Sequence, residues 1–285
     1  MKSTKITKKQ EIKICEEYKK GNFLSDLMKK YRISYKKIKL ILNNYNIKIR
    51  NKYTFPKQFS CDNDYFEKIN NPDKAYFLGM LYADGYIDKN RKYIRISLTE
   101  SDKEVLDFLK KSINHTGELK KIYFSKYNKK KYTSRDSFCL HIFNKKITND
   151  LINLGCIPNK SFTLEFPTFN QIPKYLMGHF IRGYFDGDGC ISIMSGSYKN
   201  GKRAKIAIIG SCMFIDKLNK FLHKKNINSS YLTFAKNPKI KYLWIARNDE
   251  IKNFYNFIYN NCTFSLERKK NKFIEYFKQR NIILN

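Results

Sequence analysis

Acidic residues are scarce in this chain. Its 285 residues include 57 Lys and Arg but only 25 Asp and Glu, giving a formal net charge of +32 and a pI near 9.8. Such an excess of positive charge favours a polyanionic partner, nucleic acid above all. Codon bias is an alternative, because Lys, Asn, Ile, Tyr and Phe are all abundant. Bias alone would raise the lysines without holding the acids below half the basic count.

The chain also lacks the cysteine and histidine patterns of common metal sites and disulfide frameworks. Its seven cysteines form no Cys-x-x-Cys pair and are odd in number, and its four histidines are scattered. We therefore expect free thiols in a reducing, intracellular compartment. No signal segment begins the chain, and no apolar run approaches the roughly 18 residues of a membrane span, so we expect neither secretion nor a membrane partner.

One apolar stretch occurs twice, as YFLGMLYADG at 76–85 and as HFIRGYFDGDG at 179–189. Each copy predicts a helix with two small residues four positions apart, which therefore share a face. These residues are the pairs Gly79 with Ala83 and Gly183 with Gly187. A strip of small residues lets another backbone approach closely, so we expect the two helices to pack on each other in parallel.

Both copies end in Asp-Gly, which places an acid where a helix disfavours one. Asp84 and Asp188 fall in the last helical turn, at the negative end of the macrodipole. Gly85 and Gly189 fit the left-handed position that commonly ends a helix. Parallel packing would bring the carboxylates side by side, and such a pair resists joint ionisation unless a divalent cation lies between its members.

Residues 1–50 predict a small all-α domain. Its third helix follows Ser34, a good N-cap, and carries basic residues on its outer side. Helix, tight turn and basic helix is the plan of a helix-turn-helix DNA-binding domain, with Lys36, Lys37 and Lys39 as candidate DNA contacts. The alternative is an ordinary three-helix bundle with a solvated basic face. Residues 51–71, with Pro56, predict a linker.

The rest of the chain predicts an α+β fold in two tandem halves, 72–166 and 167–285. After each copy of the repeated stretch come strands, a helix, strands and another helix, an αββαββα order. The repeat implies a pseudo-twofold arrangement with the repeated helices at the axis and curved antiparallel sheets on either side. Polar strand positions on the open side are candidate DNA contacts: Arg95, Ser97, Arg203, Lys205 and Arg247.

The two stretches resemble the paired motifs of a single-chain LAGLIDADG homing endonuclease, over residues 72–285. That resemblance implies two half-domains forming a DNA saddle, preceded here by a helix-turn-helix extension. It implies metal ligation by Asp84 and Asp188, joined by the backbone carbonyls of Ala83 and Gly187, with Mg²⁺ as the metal and Mn²⁺ as a substitute. It also implies a catalytic basic residue late in each half, for which Lys160 and Lys269 are our choices, with Arg268 as the rival of Lys269.

The first motif departs from the family pattern at one position. The earlier acid of the motif is Asp186 in the second copy, but Tyr82 in the first. In the family this acid serves helix packing and capping, so the resemblance still implies two metal ligands. We expect only the packing at the end of the first helix to differ.

The resemblance implies a monomeric, site-specific endonuclease that hydrolyses both strands of double-stranded DNA, as in intron homing. Two alternatives remain. The same fold serves RNA-binding intron maturases, so intron RNA is a possible partner, and a helix-turn-helix on a decayed nuclease domain would make a DNA-binding regulator. The presence of both acids favours catalysis over decay.

Overall fold

The chain forms two compact units, residues 1–60 and 61–285. The computed structural model describes residues 6–20, 22–49, 59–90, 92–122, 136–194, 203–234 and 237–283. The first part of the predicted linker 51–71 lies outside these residues. The part from Cys61 onward belongs to the larger unit, where Tyr65, Phe66 and Ile69 are buried in the core.

The smaller unit contains the three predicted helices, α1 (Lys8–Lys19), α2 (Leu24–Tyr31) and α3 (Tyr35–Asn44). Ser34 caps α3, since its side chain accepts a hydrogen bond from the backbone N–H of Lys37. The turn between α2 and α3 passes through Arg32 in the left-handed region, with φ of 50°. The unit has an apolar core of its own, made by Ile14, Cys15, Tyr18, Leu27, Ile33, Ile38, Ile41 and Leu42.

The larger unit has the predicted α+β organisation of two successive halves. The first half contains α4 (Pro72–Asp84), β1 (Gly85–Ile87), β2 (Ile94–Thr99), α5 (Lys103–Ser112), β3 (Lys120–Ile122), β4 (Ser137–Ile142) and α6 (Lys145–Asn153). The second contains α7 (Met177–Asp188), β5 (Gly189–Ile193), β6 (Ala204–Ser211), α8 (Cys212–His223), β7 (Ser230–Thr233), β8 (Ile240–Ile245), α9 (Asn248–Tyr259) and α10 (Glu267–Gln279).

Each half builds one four-stranded antiparallel sheet with the same order of strands. The orders are β1-β2-β4-β3 and β5-β6-β8-β7, so equivalent strands occupy equivalent places. Side chains alternate between the two faces, as a strand requires. In β2, for example, Ile94, Ile96 and Leu98 are buried while Arg95 is exposed.

The motif helices α4 and α7 pack in parallel at the centre of the unit. A Cβ added to Gly79 would overlap the carbonyl oxygen of Phe180, and one added to Gly183 would overlap that of Tyr76. Nearer the helix ends, the missing side chain of Gly187 leaves room for the Cβ of Ala83. The small residues therefore allow the two backbones to touch.

The predicted left-handed conformation of Gly85 and Gly189 is wrong. Both glycines are extended, with φ and ψ of −71° and 141° at Gly85 and of −96° and 161° at Gly189. Each is required instead because the backbone folds back onto its own helix. A Cβ at Gly85 would lie 2.9 Å from Cα of Leu81, and one at Gly189 would lie 2.6 Å from the carbonyl oxygen of Phe185.

Helix α10 was not foreseen from the sequence. Its first turn is highly polar, whereas its later turns bury Phe273, Tyr276 and Phe277 in the core. Within the residues that the structure describes, no helix has the length and apolar character needed to cross a membrane. All seven cysteines lie in described segments and are free thiols.

Candidate active site

The two motif helices end next to each other, each at an aspartate. Asp84 is the last residue of α4 and Asp188 is the last residue of α7. The close packing at Gly187 sets their separation, because a Cβ added there would lie 2.9 Å from Oδ2 of Asp84. The small residue at the end of each motif helix therefore lets the two terminal carboxylates, Asp84 and Asp188, come close together.

Both carboxylates are held in surroundings that oppose ionisation. Burial, reinforced by the charge of Asp188, raises the pKa of Asp84 to about 6, against the attraction of Lys269 and Lys160. Burial also raises the pKa of Asp188, an effect that Lys160, Lys269 and the hydroxyl of Tyr184 oppose. Solvent still reaches the Asp84 side chain. The pair is therefore accessible to solvent and costly to keep ionised.

Lys160 lies beside the end of the first motif helix. It begins a short 3-10 turn, Lys160–Phe162, which follows Asn159 in the left-handed region with φ of 55°. This turn directs the half-buried side chain so that Nζ donates a hydrogen bond to the carbonyl of Gly85. The carbonyl that accepts this hydrogen bond belongs to the residue directly after Asp84.

Lys269 lies behind the end of the second motif helix. It is in the first turn of α10 and only 6% exposed. Its Nζ donates to the carbonyls of Phe185 at 2.8 Å, Asp186 at 2.6 Å, Gly187 at 3.2 Å and Gly189 at 2.6 Å. Burial lowers the pKa of Lys269 to about 8, so the ammonium form still dominates at neutral pH.

Arg268, the rival of Lys269, points to a different partner. Its guanidinium donates two hydrogen bonds to the buried carboxylate of Asp102, at 2.5 and 2.6 Å. This pairing lowers the pKa of Asp102 despite the desolvation of that carboxyl. Of the two basic neighbours, it is Lys269 whose ammonium lies at the acidic pair.

The motif position that differs between the two copies, Tyr82 in α4 and Asp186 in α7, has a different structural role in each helix. Asp186 is 2% exposed and accepts hydrogen bonds from the Tyr76 hydroxyl and the Leu266 backbone N–H, both at 3.0 Å. Burial raises its pKa to about 6. Tyr82, its counterpart in α4, donates instead to the carbonyl of Leu154 at 2.6 Å. Asp186 therefore joins α4, α7 and the start of α10, and it is not part of the pair formed by Asp84 and Asp188.

Tyr184 is a site residue that the sequence did not lead us to expect. It lies one helical turn before Asp188, and its hydroxyl opposes the rise in the pKa of that acid. The single hydroxyl proton has two acceptors within reach, the Ile209 carbonyl at 2.9 Å and Asp188, and the ring stacks on Phe214 with centroids 4.2 Å apart. The spacing of four residues from Asp188 was the available signal.

The oxygen atoms at this centre fit a magnesium ion. Two carboxylates and the backbone carbonyls of Ala83 and Gly187 are hard oxygen donors of the kind that Mg²⁺ prefers. Mg²⁺ in proteins is commonly bound by only one or two carboxylates, since water and substrate phosphate complete its shell. Among the described residues, no group of three or more His, Cys, Asp or Glu side chains is arranged to hold a metal, and this centre offers two carboxylates.

The candidate DNA contacts occupy separate places. Arg95 and Ser97 lie on the open face of β2, where the Arg95 guanidinium is 4.9 Å from the centre of the Tyr86 ring. Lys205 lies on β6, its Nζ 3.1 Å from the centre of the Trp244 ring. Lys36, Lys37 and Lys39 are exposed on α3 of the smaller unit.

Two further candidates lie at the ends of strands. Arg203 directly precedes β6, and its carbonyl accepts from the Met194 N–H at 2.8 Å. Arg247 follows β8 and forms an exposed ion pair with Asp249 at 2.7 Å. It would therefore have to exchange this partner to reach a phosphate.

The fold is similar to solved structures of homing endonucleases bound to DNA. The structure of the homing endonuclease I-WcaI bound to its DNA recognition sequence aligns with 73% of this chain and 90% of that chain, with 15% identity and a TM-score of 0.51. The meganuclease I-SmaMI bound to uncleaveable DNA aligns with 74% of this chain and 92% of that one, with 11% identity and a TM-score of 0.49.

One relative matches by sequence. It is the probable translation initiation factor IF-2 of Methanocaldococcus jannaschii, 31% identical over 217 residues. The match spans 70% of this chain but only 16% of that protein, so the similarity is confined to a segment of it. The model of the LAGLIDADG-like domain matches residues 71–151 and 176–259, each match beginning at or just before a motif helix. Together the two matches cover more than half of the sequence, and the chain belongs to the LAGLIDADG-like family.

Proposed function

We propose that this chain is a site-specific endonuclease of double-stranded DNA. The observation that carries the proposal is the acidic pair at the ends of α4 and α7. Two carboxylates packed together at the negative ends of helices, with the pKa of Asp84 raised to about 6, oppose folding. Their placement is explained if they bind a divalent cation and, with it, the phosphates of DNA.

The chain's own residues supply three parts of a phosphodiester hydrolysis. Asp84 and Asp188, with the carbonyls of Ala83 and Gly187, would hold Mg²⁺, which when bound polarises the scissile phosphate and lowers the pKa of a water ligand. Lys160 keeps positive charge beside the acids, where negative charge develops on the phosphate, and Lys269 places its charge on the carbonyls at the end of α7. In the reaction a water molecule loses a proton to solvent as its oxygen bonds to phosphorus, one ester P–O bond breaks, and the leaving oxygen takes up a proton.

The two motifs support cleavage of both strands by one copy of the chain. Each motif helix contributes one acid, so a monomer already contains an acid for each scissile phosphate. The halves differ in sequence, which suits a target without twofold symmetry. The free thiols at all seven cysteines support an intracellular, reducing location.

DNA contacts are proposed on both units. Arg95, Ser97, Arg203, Lys205 and Arg247 would contact bases or phosphates from the sheets of the larger unit. Helix α3 of the smaller unit would enter a major groove with Lys36, Lys37 and Lys39 outermost. The net charge of +32 supports this extended contact with phosphate.

The test is cleavage of a randomised duplex library with Mg²⁺ or Mn²⁺, followed by sequencing of the products. Native protein should cut one sequence on both strands, whereas Asp84→Asn and Asp188→Asn should bind it and lose cleavage of one or both strands. Glu118→Gln, which removes an exposed carboxylate of the same unit, is the matched control and should cut normally. Native-like cleavage by both aspartate variants would contradict the metal assignment. Tight binding to RNA without cleavage of any duplex would indicate a maturase instead.

A further inference from the structure

The two lysines beside the acids are bound in very different ways. Lys269 is buried and donates to four backbone carbonyls. Lys160 is half-buried and, among the described residues, donates to one carbonyl, that of Gly85. The pseudo-symmetry of the halves therefore does not extend to these cations.

The two ammonium groups differ in how many hydrogen-bond donors they have left for a substrate. An ammonium group has three N–H donors and no acceptor. Four acceptors around Lys269 exceed its three donors, so none remains for water or a phosphate oxygen. One acceptor at Lys160 leaves two donors. Only Lys160 can add a hydrogen bond to a substrate without first breaking a bond within the protein.

The partners of Lys269 are carbonyls at and just after the end of α7. The last four C=O groups of a helix have no N–H partner within it, and a cation there also offsets the macrodipole. Lys269 donates to three of those four, on Phe185, Asp186 and Gly187, and the Phe185 carbonyl also accepts from the Gly189 N–H. At the end of α4, Leu81 O accepts from Gly85 N and Cys156 Sγ, and no described side chain donates to the Ala83 carbonyl.

The position of Lys269 is itself fixed by the second motif. Asp186 accepts from the backbone N–H of Leu266, the residue directly before α10, and from the hydroxyl of Tyr76 on α4. This contact fastens the start of α10 to α7. The helix that carries Lys269 therefore cannot move away from the carbonyls without breaking a buried carboxylate contact.

We propose that Lys269 is a positioning residue that caps α7 and so fixes Asp188 and the Gly187 carbonyl, and that Lys160 is the one lysine of the pair that hydrogen-bonds the DNA phosphate during cleavage. The proposal rests on the endonuclease function and adds unequal roles to it. Loss of Lys160 should slow the chemical step at any cation concentration. Loss of Lys269 should loosen the helix end, weaken cation binding and leave the chemical step nearly intact once cation is in excess.

Methionine variants of the full chain separate these roles. Met keeps much of the apolar stem of lysine and removes the ammonium. The variants are Lys160→Met and Lys269→Met, with Lys174→Met and Lys272→Met as controls. Both control lysines are exposed; Lys272 lies on α10 with Lys269, and Lys174 lies in the 3-10 turn directly before α7. Two quantities are measured: the Tm of the metal-free protein, and the rate of cleavage of the selected duplex, resolved by strand, against Mg²⁺ concentration.

The expected results differ for the two lysines. Lys269→Met should lower Tm by roughly 10 °C, since it leaves buried carbonyls unpaired, and raise the half-saturating Mg²⁺ concentration about tenfold. Its rate at saturating Mg²⁺ should recover to within about threefold of native. Lys160→Met should keep Tm within about 2 °C and lose about 100-fold in rate on at least one strand at saturating Mg²⁺. Both controls should behave like native protein.

A conservative variant keeps the test decisive if Lys269→Met does not fold. Lys269→Arg retains charge and donors at the helix end, so it should restore folding and cleave at saturating Mg²⁺. A folded Lys269→Arg with no cleavage there, or Lys269→Met with native Tm and a 100-fold loss of rate at saturating Mg²⁺, would overturn the positioning role. A native rate in Lys160→Met would overturn the role of Lys160. If native protein itself cuts no duplex, the endonuclease function fails, and the Tm comparison still decides whether Lys269 caps α7.

Discussion

Replacing Asp84 by Asn should make the metal-free protein more stable. The native carboxylate lies beside Asp188 at the end of α4, in surroundings that raise its pKa to about 6. A carboxyl whose pKa is higher in the folded state than in the unfolded state is destabilising wherever it is ionised. Asn has nearly the same shape and carries no charge, so it removes the cost of burying a charge and the repulsion by Asp188, and it leaves the packing of the helices intact.

The size of this effect follows from the shift. A rise from 3.8 to about 6 is roughly two units, and each unit corresponds to about 1.4 kcal/mol, so the ceiling is about 3 kcal/mol. Solvent reaches the Asp84 side chain, and its screening reduces the expected gain to about 1 kcal/mol. For a unit of this length, that gain corresponds to a rise in Tm of about 2–4 °C.

The pH dependence of stability tests whether the ionised Asp84 carboxylate is destabilising. Because the folded pKa lies above the unfolded value, the native protein loses stability from this group as pH rises from about 4 to about 6. Asp84→Asn does not titrate there. The difference in Tm between variant and native protein should therefore be near zero at pH 4, grow through that window, and stay constant above it. Added Mg²⁺ should reverse the order at pH 7.5, because it binds the intact pair and stabilises only the native protein.

The assay is thermal unfolding followed by circular dichroism, with EDTA or Mg²⁺, at pH 4 and pH 7.5. Glu118→Gln serves as the control, because it removes a carboxylate that is exposed and lies away from the pair. An Asp84→Asn protein that is less stable than native at pH 7.5 in EDTA would refute the reasoning. So would an equal gain at both pH values, since the cost of burying the charge and the repulsion by Asp188 both disappear when the carboxyl is protonated in acid.

Three further outcomes are expected. Gly183→Ala should cost about 3 kcal/mol or more of unfolding free energy, measured by urea titration, because its Cβ would overlap a backbone carbonyl of α4; native-like stability would contradict the close packing. Tyr82→Phe should cost about 1–2 kcal/mol in the same assay, because the Leu154 carbonyl loses its donor; no loss would show that this bond adds nothing. Lys36→Ala combined with Lys39→Ala should weaken binding to all duplexes and reduce the slope of log K against log salt by about two; an unchanged slope would exclude phosphate contacts by α3.

The periodicity of apolar residues and the placing of small and turn residues were enough to predict most of the fold. The alternation of Ile94, Ile96 and Leu98 with Arg95 predicted both the strand and its buried face, which β2 confirms. The repeated stretch predicted that two helices meet, since small residues at a spacing of four have a direct steric meaning. The αββαββα order followed from the repeat, because each copy supports the interpretation of the other.

The errors come from distances that a local pattern does not contain. Gly85 and Gly189 follow helices, and glycine after a helix usually indicates a left-handed residue. Here the need for glycine comes from chain that folds back against Leu81 and Phe185. Helix α10 was missed because its first turn is dominated by charged residues, which obscures the apolar period of its buried later turns. Its burial depends on elements far away in the sequence.

The two acids were predictable from the sequence. The sequence also contains a difference between their surroundings, at the position one helical turn before each acid. One turn before Asp188 stands Tyr184, whose hydroxyl favours the charged carboxylate, whereas one turn before Asp84 stands Met80, which has no donor. Burial raises the pKa of both acids, and only Asp188 has this nearby hydroxyl to oppose the rise. Lys160 and Lys269 oppose the rise at both acids, whereas the charge of Asp102 adds to the rise at Asp84. Asp84 is therefore the acid that depends more on a bound cation, and Asp84→Asn should gain more stability in EDTA than Asp188→Asn.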